Sequence, residues 1–473
     1  MTSSTAQTIK KDIICPETRR QWINIAYILI ACAMFLHHVY VTIYYDVIRD
    51  GSYFLTVPWL ILAVISFILG RQWKDKGFWL LAIWLTWKIV WHLINGSFPG
   101  QYHGIIFNAY AFFICYAAGS VLNEKNRENL LRLFCPLWTI AMVVFSMYGL
   151  YVVWYGTSIP NLGNQWVVIL IYRLKIIYHF VETGILEGVS IGVAFVGFFL
   201  CRNKIAKWLY IPAILIMLIT SAFTTTRAAY IIISLELAVI LCIKIGNRLR
   251  KRNEDNKLKV TEHILLVITF IVSTVLVAWL QTYIVDGMNL LRHQGLLVGS
   301  AKAEGLAGVT ENTMHRGFVL GNLDNMLSGR VSIWKEAFQV ILDNPKILLL
   351  GMPTEQFMVL INEARIAAGL QYVYGTHSVF VQMLMEYGLI PFLIYCWFQI
   401  RFVRRAYLLL KNQTLPMWQR IIPLPALGCL MCEFIDTTTY GWLPQTTIMY
   451  LFIGLTIAVS APLVKQGVKR SCR

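Results

Sequence analysis

The sequence predicts an all-α, polytopic membrane protein of about 12 transmembrane helices with one large external loop between the ninth and tenth spans. Three observations predict it. Of 473 residues, 58% are hydrophobic and only 14% are charged, with a mean hydropathy of +0.61. Soluble domains carry about 25% charge, so this much apolar surface needs lipid rather than water around it. Apolar runs long enough to cross a bilayer recur along the chain. Basic residues gather in alternate connections between them.

The runs lie at about 22–45, 53–70, 78–95, 104–122, 130–154, 182–201, 205–221, 228–245, 262–284, 379–400, 419–436 and 443–463. An even number of spans puts both termini on one side. Basic residues mark that side. They fall at Arg71, Lys74 and Lys76, at Lys125 and Arg127, and at Arg202, Lys204 and Lys207. Two further groups run from Lys244 to Lys259 and from Arg401 to Arg420. The intervening short connections, 46–52, 96–103 and 437–443, carry only Arg49. The basic connections therefore face the cytoplasm. The formal net charge of +17 is thus a topology signal and an attraction to anionic lipid, not a nucleic-acid footprint. The 16 Trp and 23 Tyr suit the two interfaces, where a ring is half dry and half wet.

The organisation that follows is a cytoplasmic tail over 1–21, spans one to nine over 22–284, an external loop over 285–378, spans ten to twelve over 379–463, and a second tail over 464–473. Lys10, Lys11, Arg19 and Arg20 precede an apolar stretch too long for a signal-peptide core, so the N-terminus reads as retained. None of the 10 cysteines lies between Tyr283 and His377, which excludes a disulfide-stapled external domain. Paired metal-ligand spacing is absent, and Cys429 and Cys432 sit in an apolar run where packing explains them.

Two outward segments are long. The stretch 166–179 is aromatic and basic and suits the interface. In the larger loop, Arg330–Asn344 predicts a helix with Ile333, Ala337, Phe338 and Ile341 on one face, stopped by Asn344-Pro345. Thr354–Ala368 predicts a second helix, ended by Gly369.

Ionisable residues at or inside the membrane are the candidates for chemistry, because charge there is costly. Arg227 follows three threonines at the outer start of the eighth span, and reads either as a phosphate clamp or as a snorkelling arginine. Arg330 opens the loop helix, and reads as a phosphate contact or as a solvated surface charge. His377 precedes the tenth span, where an imidazole could take a proton from a hydroxyl or serve structure alone. Lys88 and His92 share a helical face in the outer half of the third span. Arg316, in the loop, and Asp436, at the end of the eleventh span, complete the substrate-binding set. Glu182 and Glu187 flank the start of the sixth span, Glu236 lies deep in the eighth, and Glu236 is one candidate partner for Lys88.

The stretch Thr224-Thr225-Thr226-Arg227-Ala228-Ala229, then a long loop with Arg330, Trp334, Asn344-Pro345 and Gly351, then His377 ahead of Glu386-Tyr387-Gly388, resembles the O-antigen ligase and O-antigen polymerase superfamily over residues 221–395. Ser378 stands where that family commonly has Asn. The resemblance implies a GT-C-like membrane glycosyltransferase in the bacterial cytoplasmic membrane, with both termini cytoplasmic. It implies an undecaprenyl-pyrophosphate-linked glycan donor, a glycan, lipid or other hydroxyl acceptor, and inverting transfer with no metal and no cofactor. By position, Arg227 and Arg330 would hold the pyrophosphate and His377 would act on the acceptor hydroxyl. Polymerase is favoured over ligase. A flippase or secondary transporter is the reading from another class, weakened by the absence of visible sequence halves or interrupted spans.

Overall fold

The computed structural model describes residues 76–96, 122–155, 167–170, 173–176, 180–252 apart from 225, 258–293, 330–435 apart from 371 and 374, and 444–471, with the isolated positions 22, 116 and 119. The spans expected at 22–45, 53–70 and most of 104–122 lie outside the described residues, as do Arg316 and Asp436.

The bundle is helical. Its described long helices are α1 (Lys76–Ile94), α2 (Glu124–Tyr155), α3 (Phe180–Leu200), α4 (Lys204–Thr224), α5 (Arg227–Arg252) and α6 (Leu258–His293). Three short helices, α7 (Arg330–Asp343), α8 (Pro345–Leu350) and α9 (Thr354–Ala367), form the described part of the loop. The chain closes with α10 (Val379–Tyr387), α11 (Leu389–Lys411), α12 (Met417–Ile421), α13 (Leu424–Ile435) and α14 (Pro444–Ser471). Six of the described helices are long and apolar enough to cross a membrane. Among the described residues the one addition to the all-α reading is an antiparallel pair of strands, β1 (Val167–Leu170) and β2 (Arg173–Ile176), with Val167 opposite Ile176. It packs against α2, α3 and α4.

Helix α3 is the centre, in contact with α2, α4, α5, α12, α13 and α14. Its sequence explains why neighbours approach so closely. Gly184, Gly188 and Gly192 recur every fourth residue, so they stack on one face of the helix. That face lies against the start of α5. A methyl at Gly184 would meet Thr224 Oγ1 at 2.5 Å and the Thr226 Cβ at 2.7 Å, and one at Gly188 would meet the Ile232 side chain at 3.3 Å. Some polar side chains in the bundle bond to one another across helices. Trp138 Nε1 donates to Ser190 Oγ at 2.9 Å, and Ser146 Oγ donates to Glu187 Oε1 at 2.7 Å.

The basic connections do share one end. Arg202, after α3, pairs with Glu128 near the start of α2 at 3.3 Å. Gln419 reaches Glu124 at 3.2 Å, and Arg420 reaches Asn247 at the end of α5 at 3.2 Å. Helix α11 runs through Arg401, Arg404 and Arg405 to Lys411, so these residues end a helix rather than form a connection.

Several boundaries differ from expectation. The tenth and eleventh spans are each two helices: α10 and α11 break at Gly388, and α12 and α13 break at Ile422-Pro423. Helix α6 continues through residue 293, and α14 runs to Ser471 through the expected tail. Asn344-Pro345 ends α7 but starts α8 at once, because proline suits the first turn of a helix. On α7 the buried set is Ile333, Ala337, Val340 and Ile341, while Phe338 is 48% exposed. At about 100° per residue, Phe338 lies about 140° round from Ile333, whereas Val340 returns to within about 20° of it. The expected end of the second loop helix holds: Leu370 N–H bonds to Arg365 O at 2.8 Å and Gly369 N–H to Ile366 O at 3.0 Å, with Gly369 at φ +70°.

Candidate active site around His377

Two cores meet at α10. The larger fills the bundle. The smaller joins α7, α8 and α9 to α10 through Ala337, Ile341, Phe357, Ile361 and Met385. Helix α10 serves both: Val379, Met383 and Tyr387 enter the bundle, while Val381, Leu384 and Met385 enter the loop core. All but one of its nine residues are buried, the apolar ones in the two cores and Gln382 and Glu386 in a polar network.

His377 stands at the mouth of α10 with φ +50°, the one described non-glycine residue in the left-handed region. That conformation costs about 1–2 kcal/mol for an L-residue and persists where neighbours over-determine it. Both neighbours do. Ser378 is the N-cap of α10 and accepts from the Val381 amide. Asn would fill the same capping role, so the departure from the family residue keeps the local chemistry. On the other side, the Thr376 carbonyl accepts from Trp334 Nε1 at 2.8 Å. Trp334 lies one turn after Arg330 on α7, so the bond ties the Arg330 helix to the residue beside His377. The Trp334 ring also meets Phe434 of α13 edge-on at 6.0 Å between centroids, which fixes α7 against the bundle.

The break after α10 has a specific cause. Gly351, at the end of α8, and Gly388 have φ of +75° and +81°. Their backbones cross: Met352 N–H bonds to Met385 O at 2.8 Å, and a methyl on Gly388 would meet Leu349 O at 2.5 Å. A methyl on Gly351 would strike the carbonyl of Glu386. Only glycine meets both demands, the left-handed backbone and the absent side chain.

A polar network runs from the His377 loop into the bundle. The Thr376 hydroxyl lies 3.2 Å from Gln382 Oε1, and Gln382 Nε2 donates to Thr354 Oγ1 at 3.0 Å and to Glu386 Oε2 at 3.3 Å. The other Glu386 oxygen is 3.7 Å from His92 Nε2, and His92 shares a 3.0 Å hydrogen bond with the Tyr387 hydroxyl. The Lys88 ammonium lies 5.5 Å over the Trp84 ring and 5.9 Å over Tyr387. Thus Lys88 and His92 do share a site, and Glu386, not Glu236, is the carboxylate beside them. Glu236 is instead buried between α3, α5 and α13, against Gly192 and Gly428.

Arg227 opens α5, and its side chain lies outside the described positions. Its neighbour Thr226 is buried on Gly184, so the α3 glycines set where α5 begins. Sequence reasoning passed over this glycine spacing, and its period of four was the available signal. It also missed Arg365, a buried residue whose guanidinium bonds to Glu336 at 2.6 Å and clamps α9 to α7.

A comparison with curated proteins finds no match. Residues 212–396 match the family model described as O-antigen ligase, a stretch that holds Arg227, Arg330, His377 and the Gly351–Gly388 crossing. Over that stretch the sequence is similar to the O-antigen ligase family, and the chain is a multi-pass membrane protein.

Proposed function

We propose that the protein transfers glycan from an undecaprenyl-pyrophosphate carrier to a hydroxyl acceptor at the outer face of the bacterial cytoplasmic membrane, with polymerisation of repeat units as the favoured reaction. The observation that carries this is His377, held in a strained backbone conformation between the cap of α10 and the Trp334 bond to the Arg330 helix. Strain preserved by flanking contacts is a mark of a residue kept for its position.

The chemistry is a substitution at the anomeric carbon. The acceptor oxygen attacks, the bond from carbon to pyrophosphate oxygen breaks, and His377 takes the acceptor proton. Arg227 and Arg330 neutralise the charge gathering on the departing diphosphate, which suffices without metal because fixed guanidiniums act strongly where water is scarce. Attack opposite the leaving group inverts the centre. Lys88, His92 and Glu386 hold α10, and through Gln382 and Thr376 they hold the His377 loop. In this reading Lys88 and His92 position the site from behind, and Arg316 and Asp436 contact the glycan.

The broken helices favour one other reading, a transporter, where unwound segments line a substrate cavity. Here the Gly388 break is filled by the backbone of residues 349–352 rather than left open, which supports the transferase.

The deciding experiment supplies purified protein with lipid-linked repeat units, with and without chelator. Ladders of polymer that persist in chelator are expected, and Arg227→Ala, Arg330→Ala and His377→Ala should each abolish them at unchanged membrane level. Transfer to a second acceptor alone would make the protein a ligase. Full activity of all three variants would end the glycosyltransferase mechanism.

A further inference from the structure

A second feature lies at the opposite end of the bundle from His377. Helix α4 starts at Lys204 and ends at Thr224, beside Arg227, so its first turn is about 30 Å along the helix from the start of α5. At that far end a cavity of about 600 Å³ opens between α2, α3 and α4. Pro136 of α2 and Pro212 of α4 both line it. Each proline lacks an amide hydrogen and its ring pushes the preceding turn aside, so neither helix closes fully on the other. The walls are apolar, with Val143, Gly197, Leu200 and Ile216 among them.

The rim is not apolar. Arg132 and Arg202 line its edge, and both guanidiniums bond to the single carboxylate of Glu128. Two positive charges against one negative leave the rim cationic, and the Arg202 side chain is 80% exposed. Lys204 and Trp208 are exposed on the next turn, the pairing expected at a headgroup boundary.

We propose that this groove holds an acyl chain of an anionic phospholipid from the leaflet at the basic end, with its phosphate on Arg132 and Arg202. A tail fits because an apolar cavity inside a bilayer stays dry. An anionic headgroup fits because each nearby arginine favours it by about fivefold over a zwitterion. The site is separate from the donor site and remains whether the protein polymerises or ligates.

The test uses the full-length protein released from vesicles of equal phosphatidylglycerol and phosphatidylethanolamine, with bound lipid read by native mass spectrometry. Phosphatidylglycerol should be retained in clear excess. Arg202→Gln, whose side chain is too exposed to threaten folding, should cut that excess about fivefold. Ala206→Trp, which fills the groove, should displace both lipids. Equal retention of the two lipids by the unaltered protein would overturn the proposal. So would lipid retention unaffected by Ala206→Trp. A dimer that dissociates on Ala206→Trp would overturn it in favour of a second copy of the chain in the groove.

Discussion

The bundle around α3 and the smaller core around α10 bury apolar side chains to similar depth, yet they are held differently. In the bundle, small residues do the work. Gly184, Gly188 and Gly192 let α5 lie close on α3, and van der Waals contact over long helices supplies stability. In the loop core the helices are short, and none would persist alone. There, point contacts decide the geometry: the Gly351–Gly388 crossing, the Arg365–Glu336 pair, and the Trp334 bond to Thr376. The bundle therefore tolerates a change at one position better than the site does. Long interfaces average over many contacts, whereas His377 depends on a few.

That contrast can be broken most sharply at Gly388. Gly388→Ala forces a side chain onto a backbone at φ +81°, ψ −176°, about 1–3 kcal/mol, and adds an overlap with Leu349 O worth about 1–3 kcal/mol more. A melt in detergent should show a loss of about 3 kcal/mol and transfer activity should vanish; a variant that melts and works normally would mean that the crossing is not needed. Next in size are substitutions at His377 itself. His377→Ala should lower kcat by about 10²–10⁴-fold. His377→Gly should be equally inactive yet melt higher than the alanine variant, because glycine adopts φ +50° without strain. Equal melting would show that the backbone there is relaxed. Trp334→Phe removes the bond to Thr376 while keeping an aromatic ring toward Phe434, so stability should fall by about 1 kcal/mol, with a drop in kcat larger than any change in KM. The smallest effect belongs to Gly369→Ala. Its φ of +70° carries the left-handed cost, but open space surrounds it, so a loss of about 1 kcal/mol and full activity are expected.

The same contrast explains what could be read in advance. Helices α1 to α6 were legible because hydropathy reports burial in lipid directly, and α7 was legible from its period. The break at Gly388 was not. Both α10 and α11 are apolar, so the run from 379 to 400 reads as one span, and the turn between them exists because α8 fills it from about forty residues upstream. Pro423 did carry a signal for the second break, since proline inside an apolar run interrupts it. Glu386 as the neighbour of Lys88 and His92 was illegible for the same reason as the glycine crossing. The contacting residues are far apart in sequence, with 295 residues separating His92 from Tyr387.

Because α10 belongs to both cores, the segment that carries α7 to α9 is not an excisable module. A fragment ending at 378 would keep Arg330 and His377 but lose Val381, Leu384 and Met385, the floor on which α7 and α9 rest. It would keep Ser378 but lose the Val381 amide that bonds to it, and with it the cap that pins the histidine. A soluble version of the loop would accordingly present the right residues on a surface with no fixed shape, and antibodies or inhibitors raised against such a fragment would recognise something other than the folded protein.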